Sequence, residues 1–111
     1  MKEYKHLSLM KNILDSMNDA ARDGWRVIAY SASNVFGSTI KYDIIFERDE
    51  DRLEDKGVTV EYKILTTTGN IIEHIKNNAL KGFKLVSFSN LTVLGASLKY
   101  DLIFERTIKV L

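Results

Sequence analysis

The 111-residue sequence contains no cysteine and no proline. The lack of cysteine excludes disulfide bonds and thiolate chemistry, and nothing in the sequence argues for an oxidising compartment. The lack of proline leaves each residue's backbone N–H free to join a helix or a strand ladder, which favours short and regular elements.

The sequence also lacks a strong charge of either sign and a long apolar run. Sixteen basic residues stand against fifteen acidic residues, a formal net charge of +1. This charge produces no field that favours nucleic acid or an anionic membrane, so we expect neither as a partner. No segment approaches the roughly 18 apolar residues of a membrane span, and the N-terminus lacks the apolar core of a signal peptide. We therefore expect a soluble cytoplasmic protein.

The sequence does contain an internal repeat. A shift of 58 positions aligns residues 4–48 with residues 62–106 without a gap, and 17 of the 45 aligned positions are identical. The segments KYDIIFER and KYDLIFER, which end the two copies, differ at one position. Two copies of this length do not suit a solenoid. We predict one pseudo-symmetric domain, with repeat 1 at 4–48, a linker at 49–57 and repeat 2 at 58–111.

Each repeat has the pattern of a β-α-β-β unit. Residues 4–10 and 58–67 alternate as strands do, and a helix follows each of them. Asn12 with Asp15, and Asn70 with Glu73, have the spacing of capping boxes at the helix starts. Each helix shows apolar residues at spacings of three and four. These are Ile13, Leu14, Met17, Ala20 and Ala21, and then Ile71, Ile72, Ile75, Ala79 and Leu80.

Gly24 and Gly82 are placed to end the helices in a left-handed conformation. Two strands follow in each repeat, and the third strand is the most apolar, so we place it between the first and the second. A right-handed crossover makes strands one and two parallel, and a hairpin makes strand three antiparallel to strand two. The predicted fold class is α+β, with two β-α-β-β repeats in one six-stranded mixed sheet and two helices on one face.

Alternation assigns the side chains of the third strand to two faces. Tyr42, Ile44 and Phe46 share the face that the helices cover, and Lys41 and Asp43 project from the other face. We interpret Lys41 and Asp43 first as a cross-strand ion pair, formed with each other or with a neighbouring strand, and a ligand site is the alternative.

The second strands are apolar on both faces. Alternation places Trp25 and Val27 on one face and Ile28 and Tyr30 on the other. Two short helices cover only one side of six strands, so an apolar patch remains on the helix-free face, and such patches mark interfaces. We predict a homo-oligomer that associates through this face.

The hairpin tips carry apolar residues where turns usually hold polar ones. The tips either fold back onto the helix ends or contact a partner or ligand. An aromatic ring near a lysine could also stack a planar ligand and neutralise a phosphate. The candidate ligand- or partner-binding residues are Tyr30, Phe36, Lys41, Asp43, Phe88, Leu94, Lys99 and Asp101.

Other chemistry has little support in the sequence. His6 and His74 are not at equivalent positions, and neither has a second ligand at a metal spacing. We find no Ser-His-Asp order, no Gly-rich phosphate loop and no carboxylate pair in an evident cleft. We predict no catalytic residues, no metal, no cofactor and no enzymatic activity.

The combined pattern resembles a known family. It consists of Tyr-Lys opening a strand, a capped helix, Gly24-Trp25 before an apolar strand, and a closing Ile45-Phe46-Glu47-Arg48. This resembles the small bacterial and phage domain of unknown function DUF4177, in tandem duplication, although repeat 2 has Phe83 in place of Trp. The resemblance implies a small accessory or phage-encoded protein and supplies no catalytic residues. The element order is also similar to that of the dodecins, which are flavin-binding oligomers, in topology alone.

Three hypotheses follow. The first is a non-enzymatic binding module, such as a phage or prophage inhibitor of a partner protein. The second is a protein that sequesters a nucleotide or flavin at an oligomer interface. The third, a small enzyme, requires a pocket of titratable groups with shifted pKa values.

Overall fold

The computed structural model describes residues 1–35, 39–51, 53–93 and 97–109. The described chain contains two β-α-β-β units, as the repeat predicts. The first unit comprises β1 (Glu3–Leu9), α1 (Ile13–Arg22), β2 (Arg26–Val35) and β3 (Thr39–Arg48). The second unit comprises β4 (Val58–Thr67), α2 (Ile71–Ala79), β5 (Lys84–Val93) and β6 (Ser97–Lys109), after a 3₁₀ turn at Leu53–Lys56. Neither helix has the length and apolar character needed to cross a membrane among the residues that the structure describes.

The strands form two separate three-stranded sheets, so the prediction of one six-stranded mixed sheet is wrong. The first sheet has the order β1-β3-β2 and the second the order β4-β6-β5. The third strand of each unit is central, as predicted, and every neighbouring pair is antiparallel. The sheets meet where β2 approaches β5, and there the Ala32 N–H donates to Ser89 Oγ at 3.1 Å. The Ala32 N–H therefore bonds to a side chain of β5, whereas in a continuous sheet it would bond to a backbone carbonyl of that strand.

A β-bulge in each second strand changes which side chains share a face. The register shifts between Val27 and Ala29, so Val27 pairs with Phe46 and Tyr30 pairs with Ile44. Cross-strand neighbours share a face, so Val27 and Tyr30 lie on the same side. The alternation that separated them is therefore wrong, because the bulge inserts one extra residue. The second unit has the same shift, between Leu85 and Ser87.

Both helices begin and end close to the residues that the sequence predicts, but their first turns are not capped in the predicted way. Asn12 and Asn70 precede the helices with left-handed backbones, at φ 59° and 56°, and neither side chain makes a capping hydrogen bond. The predicted capping boxes are therefore not formed, and asparagine serves here because it tolerates the left-handed region. Gly24 and Gly82 do adopt positive φ after the helices, as predicted.

The main core lies between the first unit and one face of the second sheet. Side chains from α1, β2 and β3 pack against side chains from β4 and β6. Its largest fully buried members include Met17, Ile44, Phe46 and Ile103. The first unit contributes its helix-bearing face to this core, whereas the second unit contributes its helix-free face. The two repeats therefore pack in a front-to-back manner, and their equivalent residues have different surroundings.

Helix α1 also covers the outer edge of β4. The Tyr62 N–H, which points away from the central strand of its sheet, donates to Asn18 Oδ1 at 2.8 Å. Thr59 Oγ1, whose proton is donated to Glu54, also lies 3.0 Å from the Ala21 carbonyl oxygen at the end of α1. Side chains and carbonyls of α1 thus satisfy an edge strand that would otherwise present unpaired groups.

Helix α2 is much less covered than α1, although its apolar pattern is similar. Asn78 is its one buried residue among those described, and it accepts a hydrogen bond from Lys63 Nζ at 2.7 Å. Ile72 and Leu80 remain 62% and 88% exposed. The apolar face predicted for the second helix is therefore left partly in solvent.

The residues that carry the family resemblance form a structural clamp. The Arg48 guanidinium lies 4.3 Å from the centroid of the Trp25 ring, and Arg106 lies 4.4 Å from that of Phe83. Arg48 also pairs with Glu3 at 2.8 Å. Stacking of guanidinium on an aromatic ring stabilises by about 0.5–2 kcal/mol, depending on burial. The clamp joins the end of the third strand to the helix end in each unit, and phenylalanine replaces tryptophan in it.

The charged segment between the units is held against both of them by hydrogen bonds. Glu54 Oε2 accepts hydrogen bonds from Arg26 Nη2 at 2.7 Å and from Thr59 Oγ1 at 2.6 Å. Burial, the largest single influence, would raise the pKa of Glu54, but the hydrogen bonds from Thr59 and Arg26, a backbone hydrogen bond and the charge of Arg26 together hold the pKa below its usual value. The predicted linker is therefore anchored to both units at Glu54.

Candidate functional site

The helix-free face of the first sheet is open, and it carries a groove. The groove has a volume of about 260 Å³ and is lined by His6, Ala29, Tyr30, Ser31, Asp43 and Ile45. Its residues come from β1, β2 and β3, so the register of the sheet brings them together. Ile45 is 42% exposed in its floor. We call this surface the open groove.

Asp43 is the charged centre of the open groove. Its Oδ1 lies 2.8 Å from Nε2 of His6, which projects from β1 onto the same face. The hydrogen bond from His6 is the main reason that the pKa of Asp43 lies below its usual value, and it outweighs desolvation, with smaller help from Ser8 and Lys41. The carboxylate is therefore held ionised by neighbours on its own strand and on β1. Of the pairings left open for Asp43, with Lys41 or with a neighbouring strand, the structure shows the second, a cross-strand pair with His6 of β1.

The groups around Asp43 do not form a catalytic relay. Ser8 and His6 both hydrogen-bond to the carboxylate, so the carboxylate separates the hydroxyl from the imidazole. A nucleophilic relay needs the hydroxyl bonded to the imidazole. The arrangement instead fixes an anion and the ring beside it, which suits recognition of a donor group.

Tyr30 joins the two units at the edge of the groove. Its Oη donates to Oδ2 of Asp101 at 2.9 Å, and Thr66 donates to Oδ1 of the same residue at 2.7 Å. Burial and then the negative charge of Asp101 raise the pKa of the Tyr30 hydroxyl, so it stays protonated and donates. Burial also raises the pKa of Tyr42, whose ring stacks on Tyr30 at 6.2 Å between centroids.

The structure therefore distributes the predicted site residues unevenly. Asp43 lines the open groove, and Tyr30 borders it but is buried in the core between the units. Asp101, the half-buried equivalent of Asp43, accepts the hydrogen bond of the Tyr30 hydroxyl across that contact. Phe88, the equivalent of Tyr30, is 53% exposed on the other side of the second sheet. Lys41 and Lys99 are half-buried beside their strands. Phe36 and Leu94 lie outside the described residues. The two sets of predicted residues thus do not build two equivalent sites.

Sequence reasoning missed His6 as a site residue. The equivalent position in the second unit is Ile64, which packs against the core, so the repeat gave His6 no special status. The pairing of His6 with Ile45 across the β1–β3 ladder places it one step from Asp43 on the same face. That register was the available signal, and it required the order of the strands.

The second unit presents the other exposed apolar surface. Phe88 on β5, Ile72 on α2 and Leu80 after α2 are all more than half exposed. They lie on the helix-bearing side of the second sheet, the side that in the first unit is buried in the core. No group of three or more metal-ligating side chains occurs in the part of the chain that the structure describes.

Fold and site together define a small α+β protein made of two β-α-β-β units, with the open groove on the first sheet and an exposed helix-bearing side on the second sheet. Residues 2–49 match the family model described as a domain of unknown function (DUF4177), and they form a domain of that family. The match covers the whole first unit. The second unit lies outside the match and resembles the first through the internal repeat. Comparisons with curated proteins and with solved structures found no match.

Proposed function

We propose that the protein is a non-enzymatic binding module and that the open groove is its binding surface. The observation that carries this proposal is the groove itself, where Ile45 is left exposed beside the fixed pair of Asp43 and His6. An apolar floor with a few oriented polar groups is the usual composition of a binding site. The anchored carboxylate contributes recognition and has no reacting partner within its hydrogen bonds.

The size of the groove favours a side chain of a protein partner as its occupant. Its volume is about 260 Å³, below the range of roughly 300–1,000 Å³ that encloses a drug-sized ligand. One aromatic or branched aliphatic side chain fits in such a volume. The proposed module therefore recognises a partner through a single apolar anchor surrounded by polar contacts, the arrangement of an interface hot spot.

A small-molecule sequestering protein is the second candidate. The rings of Tyr30 and Tyr42 stack on the core-facing side of the sheet, so a planar ligand in the open groove would lie against the His6 ring, which is fixed there by Asp43. A nucleotide or flavin exceeds the volume of one groove, so a second protomer would have to supply the remaining walls. This candidate therefore requires an oligomer, which the first candidate does not.

Native mass spectrometry of the full chain, purified gently from its own cells, tests the binding role. We expect the wild type to retain a second protein chain or a small molecule. We expect the Ile45→Glu variant to lose it, because a buried unpaired carboxylate in the groove is costly. The matched control is Leu14→Glu, which places the same charge on the exposed side of α1.

Three outcomes decide between the candidates. A retained protein chain supports the interaction module, and a retained compound of nucleotide or flavin mass supports the sequestering protein. A wild type that retains nothing, or an Ile45→Glu variant that retains what the wild type does, contradicts the binding role of the groove. Thermal shift with FMN, FAD, ATP and cyclic nucleotides provides the check on compounds lost during purification.

A further inference from the structure

The contact between the two units joins two different surfaces. One is the helix-side surface, formed by the helix and second strand of a unit, with Met17 and Tyr30 as its central members in the first unit. The other is the open surface, the helix-free face of a unit, with Tyr62 and Ile103 as its members in the second unit. Within the chain, the helix-side surface of the first unit packs on the open surface of the second unit.

Each chain is consequently left with one unused surface of each kind. The open surface of the first unit carries the open groove, and the helix-side surface of the second unit carries Phe88. Residues at equivalent positions of the two repeats are therefore buried in the used surface and exposed in the unused one. Ile103 is fully buried and Ile45 is 42% exposed; Tyr62 is 4% and Tyr4 61% exposed; Tyr30 is 6% and Phe88 53% exposed.

We propose that the helix-side surface of the second unit binds the open surface of the first unit in another copy of this chain, with Phe88 seated in the open groove. This inference rests on the proposed function, because the groove is the same binding surface, and it names a second copy as the partner. The contact inside the chain is the template, since it already shows these two types of surface packed together once.

The side chains at the centre of the contact within the chain have equivalents that suit the proposed contact between copies. Inside the chain, Tyr30 and Ile103 belong to the same buried cluster, and the Tyr30 hydroxyl donates to Asp101, two residues before Ile103 on β6. Between copies, the equivalent ring is Phe88, which has no hydroxyl, and the equivalent carboxylate is Asp43. His6 and Ser8 already bond to Asp43. The carboxylate therefore needs no donor from Phe88, and the ring fills the apolar part of the groove.

The backbone contacts at the rim of the template can also recur. Inside the chain, the Val27 N–H donates to Tyr62 Oη at 2.8 Å, and the Ala32 N–H donates to Ser89 Oγ. Their equivalents between copies are the Leu85 N–H with Tyr4 Oη and the Asn90 N–H with Ser31 Oγ. Tyr4 and Ser31 are exposed in a single chain. These two hydroxyls are therefore accessible acceptors for an incoming second unit.

The contact between copies is weaker than the one within the chain. Asn18, whose Oδ1 accepts the Tyr62 N–H, corresponds to Lys76, and an ammonium group accepts no hydrogen bond. Each such loss removes about 0.5–1.5 kcal/mol, and the covalent tether between units is also absent. We therefore expect association that depends on protein concentration in the micromolar range or above.

A contact of unlike surfaces either closes into a ring or continues as a filament. Two chains that bind each other reciprocally would form a ring of four units. Because the proposed contact joins two different surfaces, a mutation that blocks one surface of a chain leaves its other surface able to bind. Two chains blocked at different surfaces can therefore still bind each other, which would not be expected if the contact were symmetric.

The experiment is sedimentation velocity of the full chain over a wide concentration range, with two variants that each block one surface. Ile45→Asp blocks the open groove and Phe88→Asp blocks the helix-side surface. We expect each variant alone to be monomeric where the wild type associates. An equimolar mixture of the two variants should form a dimer and nothing larger, because the groove of the Phe88→Asp chain accepts Phe88 of the Ile45→Asp chain.

Leu14→Asp, at the position equivalent to Ile72, is the matched control and should associate as the wild type does. Circular dichroism checks that the variants fold, and Ile45→Thr with Phe88→Ser replaces the pair if an acidic variant does not. A wild type that stays monomeric throughout the range overturns the proposal. So does a pair of variants that associate normally, or a mixture that remains monomeric. If Ile45→Asp abolishes association and Phe88→Asp does not, the groove still binds a partner and only the assignment of Phe88 is refuted.

Discussion

The packing of unlike surfaces predicts that two nearly identical strand segments tolerate the same mutation very differently. Ile45 and Ile103 occupy the same place in KYDIIFER and KYDLIFER, each on the central strand of its sheet, and within these segments their surroundings in sequence differ only in Ile44 against Leu102. Ile103 has no exposed surface, whereas Ile45 is 42% exposed in the open groove. We expect Ile103→Ala to destabilise the fold strongly and Ile45→Ala to destabilise it weakly.

The expected difference can be estimated from the groups removed. Isoleucine to alanine deletes three carbons, worth about 0.8 kcal/mol each when buried, or about 2.4 kcal/mol. The cavity left at Ile103 brings the total to about 3–4 kcal/mol, within the usual range for such core substitutions. At Ile45 the same change leaves no closed cavity, and we expect about 1 kcal/mol or less, much of it from lower strand propensity.

Urea denaturation of both variants at low protein concentration measures this difference. With a slope of about 2 kcal/mol per molar urea, a gap of 2–3 kcal/mol separates the two midpoints by about 1–1.5 M. Low concentration matters because self-association would add stability that depends on the protein amount. Equal midpoint shifts for the two variants would refute the front-to-back packing, since they would mean that both isoleucines are buried alike.

Two further predictions concern tyrosine hydroxyls at the contact between the units. Tyr62→Phe leaves the buried Val27 N–H without its acceptor, so we expect urea denaturation to show a loss of about 1–3 kcal/mol in the free energy of unfolding. The control Tyr4→Phe should lose less than about 0.5 kcal/mol. A similar loss for both variants would contradict the role of the Tyr62 hydroxyl as a buried acceptor. Tyr30→Phe should lose the hydrogen bond to Asp101 near neutral pH, but its disadvantage should shrink above pH 10. Because burial and Asp101 raise the pKa of Tyr30 in the folded state, the unfolded state loses its proton first, near pH 10, and wild-type stability then falls by about 1.4 kcal/mol per pH unit relative to the variant. A difference between wild type and variant that stays constant from pH 8 to pH 11 would show that Tyr30 is not protected in the folded state.

The sequence predicted each unit well because local signals are strong within it. Glycine at the helix ends, the apolar central strand and the order of elements follow from residues close together in the chain. The capping boxes failed because a left-handed backbone at Asn12 and Asn70 competes with side-chain capping, and both use the same residue type. The alternation in the second strands failed at the bulges, where one extra residue reverses the faces.

The candidate site was predicted only in part. Tyr30 and Asp43 line one groove, and alternation along β3 did place Asp43 on the helix-free face. The repeat, however, implied that whatever holds for one copy holds for the other. The contact between units removes that equivalence, since it buries Ile103 and pairs Asp101 with Tyr30, while Ile45 stays exposed and Asp43 lines the open groove. His6 enters the site through the register of β1 on β3, which is a relation between distant segments.

The sequence by itself determined that the chain holds two copies of one β-α-β-β unit, because the repeat period, the glycines that end the helices and the apolar spacing are read from residues close together in the chain. It also determined that the sheets carry more apolar surface than two short helices cover. Only the tertiary structure decided where that surface goes. The two copies are nearly the same, so two modes of packing, symmetric or front-to-back, bury similar residue types. The choice between them rests on the fit of Tyr30, Tyr62 and Asn18 across the contact, which no pattern along one strand contains.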